Sequence, residues 1–497
     1  MKTISLKLDT SHFITNEDAL RMCEAALGLK DRGDIDEAQR IMRPLWNRVG
    51  ERPAVERLDP PVAAEVLLSV GIMTGWIGSR REIKESQEAA KNLITESITY
   101  FESVGDVQKV AAARAEIAYC YWRDGEVNEA RIMLLDALEK LTDEGNTRGR
   151  ALLKLTTVEC SASRFHAALE ILDDNAQLFE RVTNHTVKGN FHHERGIILK
   201  NLAAAEKRDD YFQSAIGEYE EADHHFELAN NLLYRAHVQN NLGFLLFNLS
   251  RYKRAHEYLD KARRLTVGLR DKVGIAQIDE TRAQVLIAER NFAEAESVAR
   301  NAVSVLEKSG RQGLLAETLT TQGIALARLN EGQRARYTLE RAIEVACGVG
   351  ALNAAGLAAL TMIEEVEDLP TEVLELACDQ ASEWLAKSES RDVLLRVIAA
   401  AKRVRSKVAS KPPAVLIPEP AFEVCDFQKE VLKFEGSLIR RALIQANGSV
   451  TRAAAMLTMS YQALAYIIGG RHKDLLKERS PVRRRARKKD KLLQRSL

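Results

Sequence analysis

Between residues 15 and 350 one pattern returns about every 40 residues. It runs: a small residue, an apolar residue three later, an aromatic or apolar residue nine later, alanine twelve later, and another small residue seven beyond that. The segments EIAYCYWRDGEVNEARIMLLDAL, NNLGFLLFNLSRYKRAHEYLDKA, TRAQVLIAERNFAEAESVARNA and TTQGIALARLNEGQRARYTLERA carry it. The alanine falls at Ala130, Ala168, Ala215, Ala255, Ala295 and Ala335, spaced 38, 47, 40, 40 and 40, with weaker copies at Ala38 and Ala90. The early small residues are Ala118, Gly243, Ala283 and Gly323, with Gly196 serving the longer unit after an insertion of about seven residues. A repeat of this length is one supersecondary unit that cannot bury its apolar face alone, so its neighbours must stack.

Apolar spacing within each copy predicts two amphipathic helices joined by a tight turn. The small residues lie where the two helices cross, and Val127, Phe165, Tyr252 and Phe292 fill the gap beside them. Gly105-Asp106, Gly145-Asn146 and Gly310 are expected helix C-caps between units. The order small–apolar–aromatic–Ala–small resembles the tetratricopeptide repeat family over residues 15–350, in about eight units. The period departs from that family, being about 40 residues rather than 34, which two extra helical turns would supply. Lengthened repeats of this kind resemble the helical sensor domains of bacterial regulators. Residues 352–406 continue as a final unit and a capping helix.

Such a stack has an inner wall. Helix positions three before and one, four and five after the small residue are expected to line it. Trp122, Arg123, His193, Lys200, Asn201, Asn240, Phe244, Asn248 and Gln284 are the resulting candidates for a groove that binds a protein or peptide, asparagine being able to bond a bound backbone amide.

Composition removes other classes. Twenty-seven glycines and ten prolines are few for 497 residues, and with 45% hydrophobic and 29% charged residues the chain reads as a globular, helix-rich protein. The six cysteines have no C-x-x-C spacing, so reduced thiols in the cytoplasm are expected. The N-terminal stretch has no apolar signal region, and the longest uncharged run, 345–363, reads as a turn between two small-residue helices, so no membrane partner is expected. There is no phosphate-binding G-x-x-x-x-G-K-[ST], no G-x-S-x-G and no H-E-x-x-H, so neither an enzyme nor a cofactor is expected. The pairs His192-His193 and His224-His225 raise the idea of a metal, but adjacent helical residues point about 100° apart, so no metal site is predicted.

Charge is divided along the chain. The net charge is +1, yet residues 426–497 hold 17 Lys/Arg against 6 Asp/Glu, a net +11 that leaves −10 on the first 425. Four prolines, Pro412, Pro413, Pro418 and Pro420, mark an extended linker between the two parts. The organisation expected is therefore a repeat domain at 1–402, a linker at 403–425, a small domain at 426–478 and a disordered basic tail at 479–497.

In the small domain three helices can be marked at 427–445, 450–457 and 461–468. Asn447-Gly448 ends the first, Ser449 and Ser460 cap the second and third, and Gly469-Gly470 stops the last. Two short helices across a three-to-four-residue turn form a helix-turn-helix, with Leu457, Met459 and Leu464 as shared core. SLIRRALIQANGSVTRAAAMLTMSYQALAYII resembles the C-terminal DNA-binding domain of the Fis family, Thr451, Arg452, Ala453 and Ala454 matching its T-R-A-A segment. That resemblance implies phosphate contacts from Ser449, Thr451 and Arg452, groove contacts from Ser460, Tyr461, Ala463 and Tyr466, and dimerisation through Phe434, Leu438 and Ile439 of the first helix. The sequence departs from the family at Thr458, where glycine is usual, and in lacking basic residues at positions 461 and 466. Gln462 is placed to read adenine. Arg471 and the dense cluster Arg483, Arg484, Arg485, Arg487, Lys488 and Lys489 would neutralise phosphates without reading sequence.

The fold class expected is all-α: a tetratricopeptide-like α-solenoid followed by a small three-helix Fis-type helix-turn-helix domain. The function expected is that of a bacterial transcription regulator, a homodimer that binds DNA and senses a protein or peptide in its repeats. The alternative is a repeat scaffold that mediates protein–protein contact, with a basic tail for non-specific nucleic-acid contact.

Overall fold

The computed structural model describes residues 14–143, 145–386, 388, 390–410 and 426–478, the side chains of 408–410 excepted. Among them there is no strand. The chain separates into two compact units, Met1–Val408 and Ala409–Leu497.

The first unit is a stack of helix pairs. These are α1 (Asn16–Asp31) with α2 (Ile35–Met42), α3 (Pro60–Arg80) with α4 (Ser86–Ser103), α5 (Val107–Arg123) with α6 (Val127–Lys140), and α7 (Asn146–Ser161) with α8 (Phe165–Asp174). After the short α9 (Ala176–Arg181) come α10 (His185–Glu206) with α11 (Asp209–Leu228), α12 (Leu232–Asn248) with α13 (Tyr252–Gly268), and α14 (Lys272–Ala288) with α15 (Phe292–Leu306). The stack ends in α16 (Gln312–Arg328) with α17 (Gly332–Gly348), α18 (Leu352–Glu365) with α19 (Thr371–Trp384), and the capping helix α20 (Arg391–Ser410). Helix α9 lies within the longer spacing between Ala168 and Ala215 and accounts for the insertion.

The repeat alanines Ala38, Ala90, Ala130, Ala168, Ala215, Ala255, Ala295 and Ala335 are all fully buried. Close approach explains the small partners. A Cβ built on Gly243 would stand 2.8 Å from Leu259 Cγ, and one on Gly323 would stand 2.6 Å from Leu339 Cγ. Both contacts are far inside van der Waals distance, so only a residue without a side chain fits. The solenoid is in this sense tetratricopeptide-like.

Eight of the nine within-pair turns contain a residue in the left-handed region, at Gly33, Glu82 and Glu85 together, Gly125, Ser163, Lys207, Ser250, Arg290 and Asn330 (φ 52–90°); the turn between α18 and α19 has none. Only two of these are glycine, so packing on both sides holds the others against their preference. Gly105 and Gly310 also take positive φ, as C-caps should. Gly145 does not: its φ of 173° is extended, and it precedes α7 as the N-cap.

The stack turns back on itself. Arg150 and Lys30 hold Asp31 at the end of α1, and Asn231, the N-cap of α12, donates to the Asp31 carbonyl (2.5 Å). Forty residues on, the next N-cap, Asp271, meets Arg80 (3.6 Å), and forty further Arg311 donates to the Arg80 carbonyl (3.0 Å) and pairs with Glu82 (3.2 Å). The turns of the first two pairs thus dock on the N-termini of α12, α14 and α16, closing one superhelical turn.

Helix α3 is, among the described residues, long and apolar enough to cross a membrane, but 72% of its most apolar stretch is buried within the protein. The run 345–363 forms the end of α17, a turn and most of α18. Helix α20 reaches Ser410, so 403–410 is helical where an extended linker is expected. Ala400 and Val404 are buried against the last pairs, and that burial draws the helix past the expected boundary.

The second unit contains α21 (Phe427–Gln445), α22 (Val450–Met456), α23 (Tyr461–Gly470) and a 3₁₀ turn at Lys473–Glu478. Its core joins Ile439, Ala442, Leu443 and Ala446 to Val450, Ala453, Ala454, Leu464, Ile468 and Leu475. Ile439 belongs to this core and is not available to a dimer seam. Gly469 and Gly470 do not stop α23: the helix continues through both, and Arg471 is the C-cap.

Candidate functional site

In the solenoid, polar side chains meet in a cavity of about 260 Å³ bounded by α1, α3, α4, α5, α7, α10 and α12. Its charged lining residues are Lys30, Glu116, Arg123, Arg150, Lys154 and Glu194, set among Trp76, Tyr119, His193 and Tyr234. Three of the four cations are neutralised by protein. Lys30 pairs with Asp31 (3.3 Å), Arg150 forks onto the same carboxylate, and Lys154 holds Glu116 (2.5 Å). Burial alone would raise the Glu116 carboxyl, but Lys154, Lys30 and Arg150 hold it below the ordinary range. Burial pushes Lys154 down.

Arg123 is different. It lies over the Tyr119 ring (4.6 Å to the centroid), and that ring stacks on Trp122 (4.7 Å). Among the described residues no carboxylate pairs with it. Glu194 is its counterpart, with a 3.4 Å hydrogen bond from the Thr157 hydroxyl and no basic partner among the described residues. Burial raises its carboxyl to about 7. Neighbouring His193 bonds Asn241 (2.9 Å) and is pushed down to about 3 by burial, with His237 and Lys200 adding to the effect.

Of the expected groove residues, Arg123 and His193 line this cavity. Trp122 instead donates Nε1 to Ser161 (2.7 Å), Asn201 donates back to its own helix at Ile197 (2.9 Å), and Gln284 bonds Glu280 (2.5 Å). Asn240 lines a separate small hollow with His237 and Asp271, while Phe244 packs beside Phe247 and Asn248 is exposed. Lys200 is partly buried outside the cavity lining. These residues do not form one continuous wall. The expected register leaves out the position two before the small residue, which adds Glu116 ahead of Ala118 and Glu194 ahead of Gly196. A charged residue inside an apolar helix face was the available signal.

The histidine pairs divide as the helical angle requires. His193 faces α12, while His192 bonds Glu218 (2.7 Å) and stacks on His225 (5.4 Å), whose Nδ1 is 3.1 Å from that of His185. Among the described residues no group of three or more His, Cys, Asp or Glu is arranged to hold a metal ion.

In the second unit, α22 and α23 meet across Leu457–Ser460. Thr458 takes φ 54°, a left-handed conformation that a β-branched residue disfavours. Ser460 accepts from the Ala463 amide (3.2 Å) and caps α23, whereas Ser449 is the N-cap of α22 without a side-chain bond. Thr451, Arg452, Ser460, Gln462 and Arg471 are exposed, with Tyr461 45% and Tyr466 83% exposed. Arg471 pairs with Glu435 (3.0 Å), and the same carboxylate bonds the buried His472 (2.9 Å), tying α21 to the end of the unit. The expected phosphate-binding residues Arg483, Arg484, Arg485, Arg487, Lys488 and Lys489 lie outside the described residues.

No family model matches the chain, and no curated protein matches it in sequence. Solved structures do resemble it. One is a signal transduction ATPase with numerous domains and a tetratricopeptide repeat sensor from Pyrococcus horikoshii (11% identity, 76% of this chain and 67% of that one, TM-score 0.47). Another is a Rap protein complexed with competence and sporulation factor (12% identity, 68% and 99%, TM-score 0.45), and a third is the apo form of RapI (16%, 73% and 99%, 0.42). All three scores lie below 0.5, so these likenesses support no functional statement, and the architecture rests on the helix pairs themselves.

Proposed function

We propose that the protein is a cytoplasmic, non-enzymatic bacterial transcription regulator. Its solenoid binds a protein or peptide partner, and residues 426–478 bind DNA as a Fis-type helix-turn-helix. The observation that carries this reading is the face of α23. A capped short helix follows a short turn and presents Tyr461, Gln462 and Tyr466 to solvent, with its apolar side locked by Leu464 and Ile468. That is the presentation a recognition helix needs in a major groove. Arg452 on α22 is exposed beside it, and the net +11 of 426–497 supplies counterion-release affinity. The face of α23 is uncharged, so discrimination is assigned to Gln462, to aromatic contacts and to DNA shape.

The protein is read as a homodimer because α21 leaves Phe427, Val431, Phe434 and Leu438 exposed at alternating spacings of four and three, the periodicity of a helix–helix seam. The test is fluorescence anisotropy of the full chain on a random-sequence duplex at about 50 and about 200 mM salt, alongside Tyr461→Ala/Tyr466→Ala. Binding by the wild type that the double variant weakens at both salts supports the reading. Equal binding by both proteins removes α23 from the interface.

A further inference from the structure

We infer that the solenoid cavity is a receptor for a small zwitterion, an α-amino acid or a dipeptide, whose ammonium group pairs with Glu194 and whose carboxylate pairs with Arg123. This goes beyond the reading of the solenoid as a partner-binding surface. It concerns the first unit alone and stands or falls independently of DNA binding.

Size comes first. About 260 Å³ is slightly under the ~300–1,000 Å³ of pockets that take drug-sized ligands. That volume accommodates a ligand of one or two residues. The walls add an apolar component, with Ile72, Trp76, Leu153 and Tyr234 beside the charged groups.

Charge decides the class. The other three cations of the lining are already occupied by Asp31 and Glu116, which sit in a network that also closes the superhelical turn. What faces the cavity uncompensated is one cation and one carboxyl, Arg123 and Glu194, and they do not pair with each other. A solely anionic ligand would leave Glu194 without a partner, and a solely cationic one would leave Arg123 so. A ligand carrying both charges satisfies both groups.

The geometry of each group fits its role. Arg123 has its Cζ 4.6 Å from the centre of the Tyr119 ring, a contact that holds the guanidinium at the cavity wall and leaves its N–H groups for a carboxylate, the planar partner that a guanidinium forks best. Glu194 receives one long bond from Thr157, so acceptor positions on the carboxylate remain for an ammonium. In the free protein the buried carboxyl titrates near 7. An ammonium beside it favours the charged form, so binding releases a proton at pH 6 and releases less at pH 8.

The test uses the full chain. Thermal-shift screening of the twenty L-amino acids and of L-alanyl dipeptides identifies the best ligand, and calorimetry then measures it against its N-acetylated and its amidated forms. The same ligand is measured on Glu194→Gln and Arg123→Gln, with circular dichroism confirming that both variants are folded. The expected result is at least a tenfold loss on N-acetylation and on Glu194→Gln, with little further loss when the two are combined. Amidation and Arg123→Gln should form a second matched pair. Proton release measured in two buffers should fall from pH 6 to pH 8. The modified ligands test the wild-type protein, so the outcome does not depend on whether a variant folds. No binding by any member of the panel at millimolar concentration overturns the inference. So does a best ligand that tolerates Glu194→Gln or N-acetylation.

Discussion

Replacing Gly323 by alanine tests the helix crossing on which the repeat depends. Alanine in a helix interior is favoured over glycine by about 1 kcal/mol. Gly217, in α11 with nothing within 4 Å of a built Cβ, should show that gain cleanly. At Gly323 the new methyl would lie 2.6 Å from Leu339 Cγ and 2.7 Å from Cδ2. Leu339 is fully buried and has nowhere to go, so overpacking of roughly 1–3 kcal/mol opposes the gain. Gly217→Ala should therefore stabilise, and Gly323→Ala should fall about 1–3 kcal/mol below it. Leu339→Ala alone should cost about 2–5 kcal/mol. Combined with Gly323→Ala it should cost less than the sum, because the new methyl fills part of the vacated space. The cycle is measured by urea unfolding of the full chain, with unchanged m-values as the check that one transition is compared. Gly243 with Leu259, the equivalent pair two repeats earlier, should give the same sign. If Gly323→Ala stabilises as much as Gly217→Ala, the close approach of α16 and α17 is refuted.

Further outcomes follow from the sites. Glu194, raised from 4.5 to about 7, favours the folded state while protonated; its contribution is present below pH 4.5 and lost as pH rises through 7. Wild type should lose about 2–3 kcal/mol relative to Glu194→Gln between pH 4.5 and 8, read from urea midpoints, and parallel profiles would refute the assignment. Arg452→Ala should weaken binding to all duplexes about equally and lower the salt slope by about one; loss on a single sequence would contradict a phosphate role. Val431→Asp with Phe434→Asp should convert a dimer to a monomer by light scattering without unfolding the second unit, since both side chains are outside its core. A persistent dimer would place the seam elsewhere.

The repeat was legible because it is a packing constraint written every 40 residues. Ala255, Ala295 and Ala335 must be small, and each is fully buried. The three helices of the second unit were legible for the same reason, through Ala453, Ala454 and Leu464. Closure of the superhelix was not, because Asn231 and Asp271 look like ordinary N-cap residues and Arg311 like a surface cation until the turns carrying Asp31 and Arg80 are brought to them. The cavity was half legible. Arg123 and His193 follow from the repeat register, but Glu116 and Glu194 lie two positions before the small residue, a step the expected register leaves out. Gly145 and Gly469-Gly470 misled because glycine marks a helix end only where the backbone takes positive φ.

The central claim, that residues 426–478 read DNA, is tested most directly by selection. The full chain is incubated with a random duplex pool at two salt concentrations, and bound sequences are recovered and compared. The account predicts enrichment of a common site with two symmetric half-sites, retained at the higher salt and lost with Tyr461→Ala/Tyr466→Ala. Salt-sensitive binding without enrichment, or no binding at either salt, would contradict it.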